Sequence, residues 1–305
     1  MADEEDRGTE AQLPGGIRLQ IRGSFPRVAR LESEFHDDPG DPLALMAALK
    51  GAKRPVADLF TFMQRLPDTA SKYPGFYREM DNVAAIPITT YEQWWTRQIN
   101  DKTRNMARRF EKKGGLVRVV PFDDALVAGI SGIYNEVPFR QGKKFWHFGK
   151  PLEAVKRENE TYADRTVFIG AYYEGELVGF VKLVCEPTFA SLMQIVSMVK
   201  HRDKSPTNAL LAKAVEVTAE RKIPYLVYAK FVYGRKGEDT LSDFKRHNAF
   251  EKIDLPRYYV PLTRRGRLAL ALRLHNGIVE RLPQWLVVRL LEARSKWNER
   301  RTDRP

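Results

Sequence analysis

The chain has a single cysteine, Cys185, in 305 residues. That excludes an intramolecular disulfide framework and any multi-cysteine metal site, and the lone thiol reads as a buried strand residue. The five histidines, His36, His147, His201, His247 and His275, show no paired spacing with a nearby acid, so no metal site is expected. Neither a G-x-S-x-G elbow nor a G-x-x-x-x-G-K-S/T phosphate loop occurs, which argues against the hydrolase and NTPase classes built on them. Long apolar runs are missing too. LALAL and WLVV, near the C-terminus, are interrupted by Arg273, Arg281 and Arg289 and fall short of the ~20 residues that span a bilayer. The start, MADEEDRGTEAQLPGG, lacks the basic and apolar pattern of a secretory signal, and residues 1–14 read as a flexible acidic tail. A cytoplasmic chain with no transmembrane segment is the expectation. Acid is in short supply, with 39 Asp and Glu against 51 Lys and Arg, a net charge of +12. Anionic partners follow from that balance: nucleic acid, nucleotide cofactors, phosphosugars or a membrane surface.

What is present is a globular pattern, 43% hydrophobic and 11% aromatic, enough to bury a large core. Residues 15–90 are mixed, with IRLQIRG alternating as a strand and PLALMAALKGA and ADLFTFMQRL spaced as short helices between Pro and Gly breaks. TTYEQWWTRQINDKTRNMARRFEKKGG then reads as one long helix, capped by Thr90, stopped at Gly114 and Gly115, and basic on its outer face. LVRVVPF reads as a strand and DDALVAGISGIYNEV as a helix. TVFIGAYYEGELVGFVKLV is a hairpin with its turn at EGE, and SLMQIVSMVK a third strand. A helix from 205 to about 221 follows, then the strand IPYLVYAKFVYG, a short helix in TLSDFKRHNAF and a final extended pair in FEKIDLPRYYVPLT. A strand, a crossover helix and another strand imply a parallel pair, with a ligand crevice at the strands' C-terminal ends.

The stretch MVKHRDKSPTNALL stands at that crevice. Ser205 is an expected N-cap and Pro206 suits the first helical position, yet the first turn holds no acid and follows Lys200, His201, Arg202 and Lys204. The acidic complement of the helix dipole is supplied either by a ligand anion or locally by Asp203.

FIGAYYEGELVGFVKLV, SPTNALLAKAVEVTAERKIPYLVY and LSDFKRHNAFEKI stand in the order of the central hairpin, cofactor helix and late element of the GNAT acyltransferase superfamily. Over residues 91–263 the chain resembles the Fem-like branch of that superfamily. The resemblance implies an α/β (α+β) fold, with a mixed central sheet and flanking helices in a core at 91–263. Around it stand an accessory or degenerate region at 15–90 and a basic amphipathic helical extension at 264–305. It implies direct transfer of an acyl group to an amine or hydroxyl of a small molecule, sugar or peptide, without a covalent enzyme intermediate. The donor's phosphates would lie on Val199, Lys204, Ser205, Pro206, Thr207 and Asn208. HRDKSPTNA replaces the superfamily's glycine-rich signature, and Ala249 stands where a late glycine is common, so the donor stays open between acyl-CoA (or acetyl-CoA) and an aminoacyl-tRNA.

The loop IYNEVPFRQGKKFWHFGK concentrates polar and aromatic groups between two helices. Arg140, Gln141 and Trp146 are the acceptor-binding candidates, and Glu136 or His147 the general base. The competing structural readings pair Glu136 with Arg140 or Lys143 and pack His147 in the core. Tyr233, where a strand gives way to loop, is placed to protonate a leaving group, while Tyr228 reads as core. Lys245, Arg246 and His247 form either a donor contact or a solvated face. A second class of function, a non-catalytic or RNA-associated binding protein, would use the basic face of RQINDKTRNMARRFEKKGG along phosphates. LPQWLVVRLLEARSKWNERR is expected to rest on an anionic membrane or on its own domain.

Overall fold

A computed structural model describes residues 9–12, 18–32, 34–36, 41–51, 56–233 and 240–276. Its N-terminal elements are β1 (Thr9–Gln12), β2 (Arg18–Arg22), β3 (Val28–Leu31), α1 (Pro42–Gly51), β4 (Leu59–Met63) and β5 (Tyr77–Pro87). Next come α2 (Tyr91–Gln93), α3 (Asp101–Lys112), β6 (Leu116–Val120), α4 (Asp124–Asn135), β7 (Phe139–Arg140), β8 (Lys143–Lys144) and α5 (Leu152–Glu160). The chain continues through β9 (Thr166–Tyr173), β10 (Glu176–Cys185), β11 (Ala190–Ser197), α6 (Pro206–Glu220), β12 (Tyr225–Val227), α7 (Thr240–His247), β13 (Glu251–Pro261) and α8 (Arg264–Ala271).

One mixed sheet of 11 strands runs β1-β2-β3-β4-β13-β5-β12-β11-β10-β9-β6. The β9–β10 hairpin sits near the β6 end of the sheet and turns at Glu174 and Gly175, both with positive φ (51° and 81°), the backbone a tight hairpin requires. Strand β10 is buried on both faces, because helices cover both. Gly179 faces α6, where a Cβ would stand 3.0 Å from Leu210. Phe180, one residue on and so on the opposite face, has its ring 6.0 Å from that of Tyr134 on α4. The larger core lies between these layers, and a second cluster around Leu19, Phe60 and Tyr258 fills the other half beside α1. Among the described residues no helix is long and apolar enough to cross a membrane.

Four local expectations are corrected. ADLFTFMQRL forms the strand β4 rather than a helix, buried at all five positions between β3 and β13. A short apolar run buried on both sides has no period of its own to reveal it. The long helix after Thr90 is broken: a π-helical turn (Trp94–Gln98) follows α2, Ile99 is extended, and the Asn100 side chain accepts from the Thr103 N–H to start α3 afresh. The final extended pair is the single strand β13, which pairs with β5 on one side and, from Arg257 onward, with β4 on the other. Pro256 falls just before the β4 pairing begins, where its missing N–H leaves that ladder intact. Finally, Ser205 makes no side-chain cap; it is left-handed (φ 61°) after a 3-10 helix (Val199–Lys204). Cys185 ends β10 half-buried, with its pKa raised by burial. Most of the expected C-terminal helix, residues 277–305, lies outside the described residues, as does most of the acidic tail.

Candidate functional site: a crevice where two parallel strands part

The parallel pair expected from the crossover is β11 with β12, and it is very short. Ala190 pairs with Leu226 and Ser191 with Val227, and there the pairing stops. Strand β11 continues to Ser197 paired with β10, and among the described residues no strand pairs with its other edge there. A bulge at Met193 bends that edge, since Lys182 pairs with Gln194 but Leu183 with Leu192. Beyond β12 the chain turns toward β5 instead. Tyr228 N–H donates to the Ala84 carbonyl (2.8 Å), and Asn82 Oδ1 accepts from the N–H groups of Phe231 and Val232 (2.9 Å each). Lys230 is fixed to Asp81 at 2.7 Å. The two segments therefore part at the C-terminal ends of parallel strands, β11 staying with β10 and 228–233 with β5, and such a parting is the place where open α/β sheets bind ligands.

The 3-10 helix and α6 form the mouth. Ser197 Oγ and Thr207 Oγ1 are 2.7 Å apart, tying the end of β11 to the first turn of α6. That first turn holds no acid, as expected, but Asp203 pairs with Lys113 of the α3 end at 2.8 Å. Glu136 supplies the missing anion to the 3-10 helix. Its two oxygens accept from the N–H groups of Val199 (2.7 Å) and Lys200 (2.8 Å), and Arg140 lies at 3.5 Å. Asn208 and Ala209 N–H both turn to the Ser205 carbonyl.

The loop between α4 and α5 covers the opposite side. Its β7–β8 hairpin turns on Gln141 and Gly142, again with positive φ (51° and 74°), so Gln141 is an exposed turn residue. Arg140 points inward, donating to the Ser197 (2.8 Å) and Ile133 (2.9 Å) carbonyls. His147 is buried and stacked on Tyr134 at 4.0 Å; burial, with Lys150 and Arg140 nearby, holds its pKa down to about 3. It is a neutral packing group near pH 7. Trp146 is exposed, with Lys150 Nζ 3.5 Å from the centre of its ring.

Sequence reading missed the groups beneath that loop. Tyr134 donates to Gln194 on β11 at 2.6 Å, and Lys182, register partner of Gln194, is fully buried. The Lys182 ammonium donates to Thr161 (2.6 Å) and the Glu158 carbonyl (3.2 Å), and burial pushes its pKa down to about 8. The lone lysine in the apolar run GFVKLV was the available signal. Because its folded pKa lies below the unfolded 10.5, the unfolded chain binds more protons between those values. Wild-type stability is expected to rise with pH from about 8 to 10.5, and the Lys182→Met variant to lack that rise in paired denaturant titrations.

On the β12 side, Lys245 of α7 is also fully buried. Its ammonium donates to the Lys230 carbonyl at 2.5 Å and lies 4.8 Å from the Tyr228 ring and 5.4 Å from that of Tyr233. Tyr228 is half-buried, and desolvation pushes its pKa up to about 12, whereas Tyr233 is 39% exposed at the segment's end. Arg246 and His247 point elsewhere: Arg246 to Asp243 at 2.9 Å, His247 Nδ1 to the Asp243 carbonyl oxygen at 2.7 Å. The structure thus brings Glu136, Arg140 and Val199 together, and Tyr233 with Lys245. His147 stacks on Tyr134 behind Arg140 and Phe145.

A mixed sheet with this hairpin, crossover helix and parted parallel pair is a GNAT-like fold in its Fem-branch form. No family model and no curated protein matches the sequence. Among solved structures, FemX is similar at a TM-score of 0.57 and 9% identity, over 84% of this chain and 86% of that one. L-PGS from Bacillus licheniformis aligns at a TM-score of 0.54 and 16% identity, covering 88% and 89% of the two chains. The C-terminal domain of a protein described as a lysylphosphatidylglycerol synthetase, from Agrobacterium fabrum, gives 0.53 and 14% over the same shares, 88% and 89%. At such identities the likeness defines the fold.

Proposed function

We propose that the protein is an acyltransferase that moves an aminoacyl group from an aminoacyl-tRNA to an amine or hydroxyl acceptor in the β11/β12 crevice. The parting of that strand pair after two residues is the observation that carries the reading. The neighbour described as a lysylphosphatidylglycerol synthetase supports a transferase reading. Residues 91–263 form the transferase core in this account, and 15–90 an accessory layer.

The mouth favours a tRNA over acyl-CoA. A pyrophosphate cradle needs close-approaching, free N–H groups. Here Glu136 already occupies those of Val199 and Lys200, no glycine is present from 198 to 208, and Ser205 takes those of Asn208 and Ala209. What faces solvent instead is mostly cationic: Lys200 and Arg202 of the mouth, Lys102, Arg108, Arg109 and Lys112 of α3 and Lys113 just after it, against Asp101, Glu111 and Asp203. The Lys113–Asp203 pair joins the two surfaces. Such a band suits a polyanionic strand with many phosphates.

In this mechanism the acceptor nitrogen or oxygen bonds to the donor carbonyl carbon. The resulting oxyanion is stabilised by Lys245 and by N–H groups on the β11 edge that faces away from β10. The ester bond to the ribose oxygen then breaks; Tyr233 gives that oxygen its phenolic proton and is restored by the proton that the acceptor's N–H or O–H releases. Glu136 and His147 shape the mouth and the acceptor loop. The deciding experiment uses mixed tRNA charged with radiolabelled amino acids, an acceptor pool of peptides and phospholipids, and the purified protein. Label is expected to leave tRNA for an acceptor only when protein and acceptor are both present. Label that stays on tRNA, or is released only as free amino acid, overturns the proposal.

A further inference from the structure

We propose that the β7–β8 hairpin and the loop after it form a docking surface for an anionic lipid bilayer. Residues 137–152 read VPFRQGKKFWHFGKPL, without one Asp or Glu. Within that stretch the side chains alternate. Phe145 and His147 turn inward, their rings 6.0 and 4.0 Å from that of Tyr134, and Arg140 lies 4.2 Å over Phe145. Between and around them Phe139, Trp146, Phe148 and Leu152 turn outward, 63%, 47%, 40% and 48% exposed. The inward set is anchored further by the Gly149 N–H, which donates to Asn135 Oδ1 at 2.9 Å. The outward set is therefore held in water by a fixed backbone, not by a failure to pack. Lys143 and Lys144, both exposed, form β8 beside the turn, with Lys144 in register with Phe139.

Large apolar side chains on a rigid hairpin are normally costly to leave in water, and a continuous exposed patch marks an interaction surface. Aromatic rings interleaved with lysines suit the headgroup region of a membrane, where the rings enter the acyl boundary and the cations meet anionic headgroups. A sixteen-residue stretch free of acid adds no repulsion from such a surface. The chain's net charge of +12 acts in the same direction. Binding to this surface requires no turnover, so it stands or falls independently of the transferase reading.

Vesicle co-sedimentation of the full chain tests it, with phosphatidylcholine vesicles made with and without phosphatidylglycerol. Binding is expected only with phosphatidylglycerol present, and to weaken as salt rises. Lys143→Glu with Lys144→Glu is expected to weaken partitioning about thirtyfold or more. Phe139→Ser with Phe148→Ser should weaken it as well, and since all four positions are exposed the variants retain the wild-type melting temperature. Brominated lipids should quench tryptophan emission in the wild type and much less in Trp146→Phe. Absence of wild-type binding, equal binding to neutral vesicles, or unchanged partitioning of both double variants would each overturn the proposal.

Discussion

Methionine in place of Arg257 is expected to lower the stability of the fold by about 3–5 kcal/mol, the usual cost of stranding buried carboxylates. Arg257 sits on β13 with 8% exposure. It donates to both oxygens of Glu34 (3.0 and 2.7 Å) and to Asp81 (2.7 Å), which also binds Lys230. Burial by itself would raise the pKa of Asp81, yet Arg257 and Lys230 overcome it and hold the carboxyl below its usual value. A depressed acid of this kind contributes stability above its unfolded pKa and loses it as pH falls through the folded one. The variant should therefore show a shallower loss of stability than the wild type on acidification below about 4. Urea titrations across pH measure both effects. Adding Glu34→Gln and Asp81→Asn to the variant is expected to recover much of the loss, because no unpaired buried charge remains. Through Lys230 the same network fixes one wall of the crevice, so partial unfolding here should reach the site first.

Lys245→Met is expected to reduce the transfer rate about 100- to 1000-fold, the scale of losing one preorganised charge beside a developing oxyanion. The effect should fall on kcat, with acceptor KM little changed, since the charge acts on the transition state. A purely structural role would show differently. Lys245 also donates to the Lys230 carbonyl, so a shifted wall would raise KM and lower the melting temperature together. Rate loss at an unaltered melting temperature separates the two. Lys204→Glu with Thr207→Asp should, by contrast, weaken donor binding by about tenfold while leaving the rate at saturating donor near normal.

Much of the central sheet was legible because its signals are local. EGE between two apolar runs gave the β9–β10 hairpin, and Ser205, Pro206 and the spacing of Leu210, Leu211 and Ala214 gave α6. What stayed hidden depends on partners distant in sequence. Strand β4 is uniformly apolar, and only the neighbouring β3 and β13 make it a strand. The break at Ile99 arises from a π turn inside an otherwise well-formed helical pattern. At the mouth, the missing acid of MVKHRDKSPTNALL was correctly noticed, but its answer for the 3-10 helix is Glu136, more than sixty residues away. The same contacts engage both oxygens of Glu136, the residue expected as a general base or as the partner of Arg140 or Lys143. Lys245 stood in the sequence as one of three basic residues on a short helix; only burial separates it from Arg246 and His247.

The most direct test of the donor assignment is a thermal-shift titration of the purified protein with aminoacyl-tRNA and, in parallel, acetyl-CoA, each at two salt concentrations. Binding to the native state raises the melting temperature by mass action. The account predicts a shift with aminoacyl-tRNA that shrinks at high salt and no saturable shift with acetyl-CoA. A saturable acetyl-CoA shift with no response to tRNA would contradict the donor assignment, and no response to either would contradict the transferase reading itself.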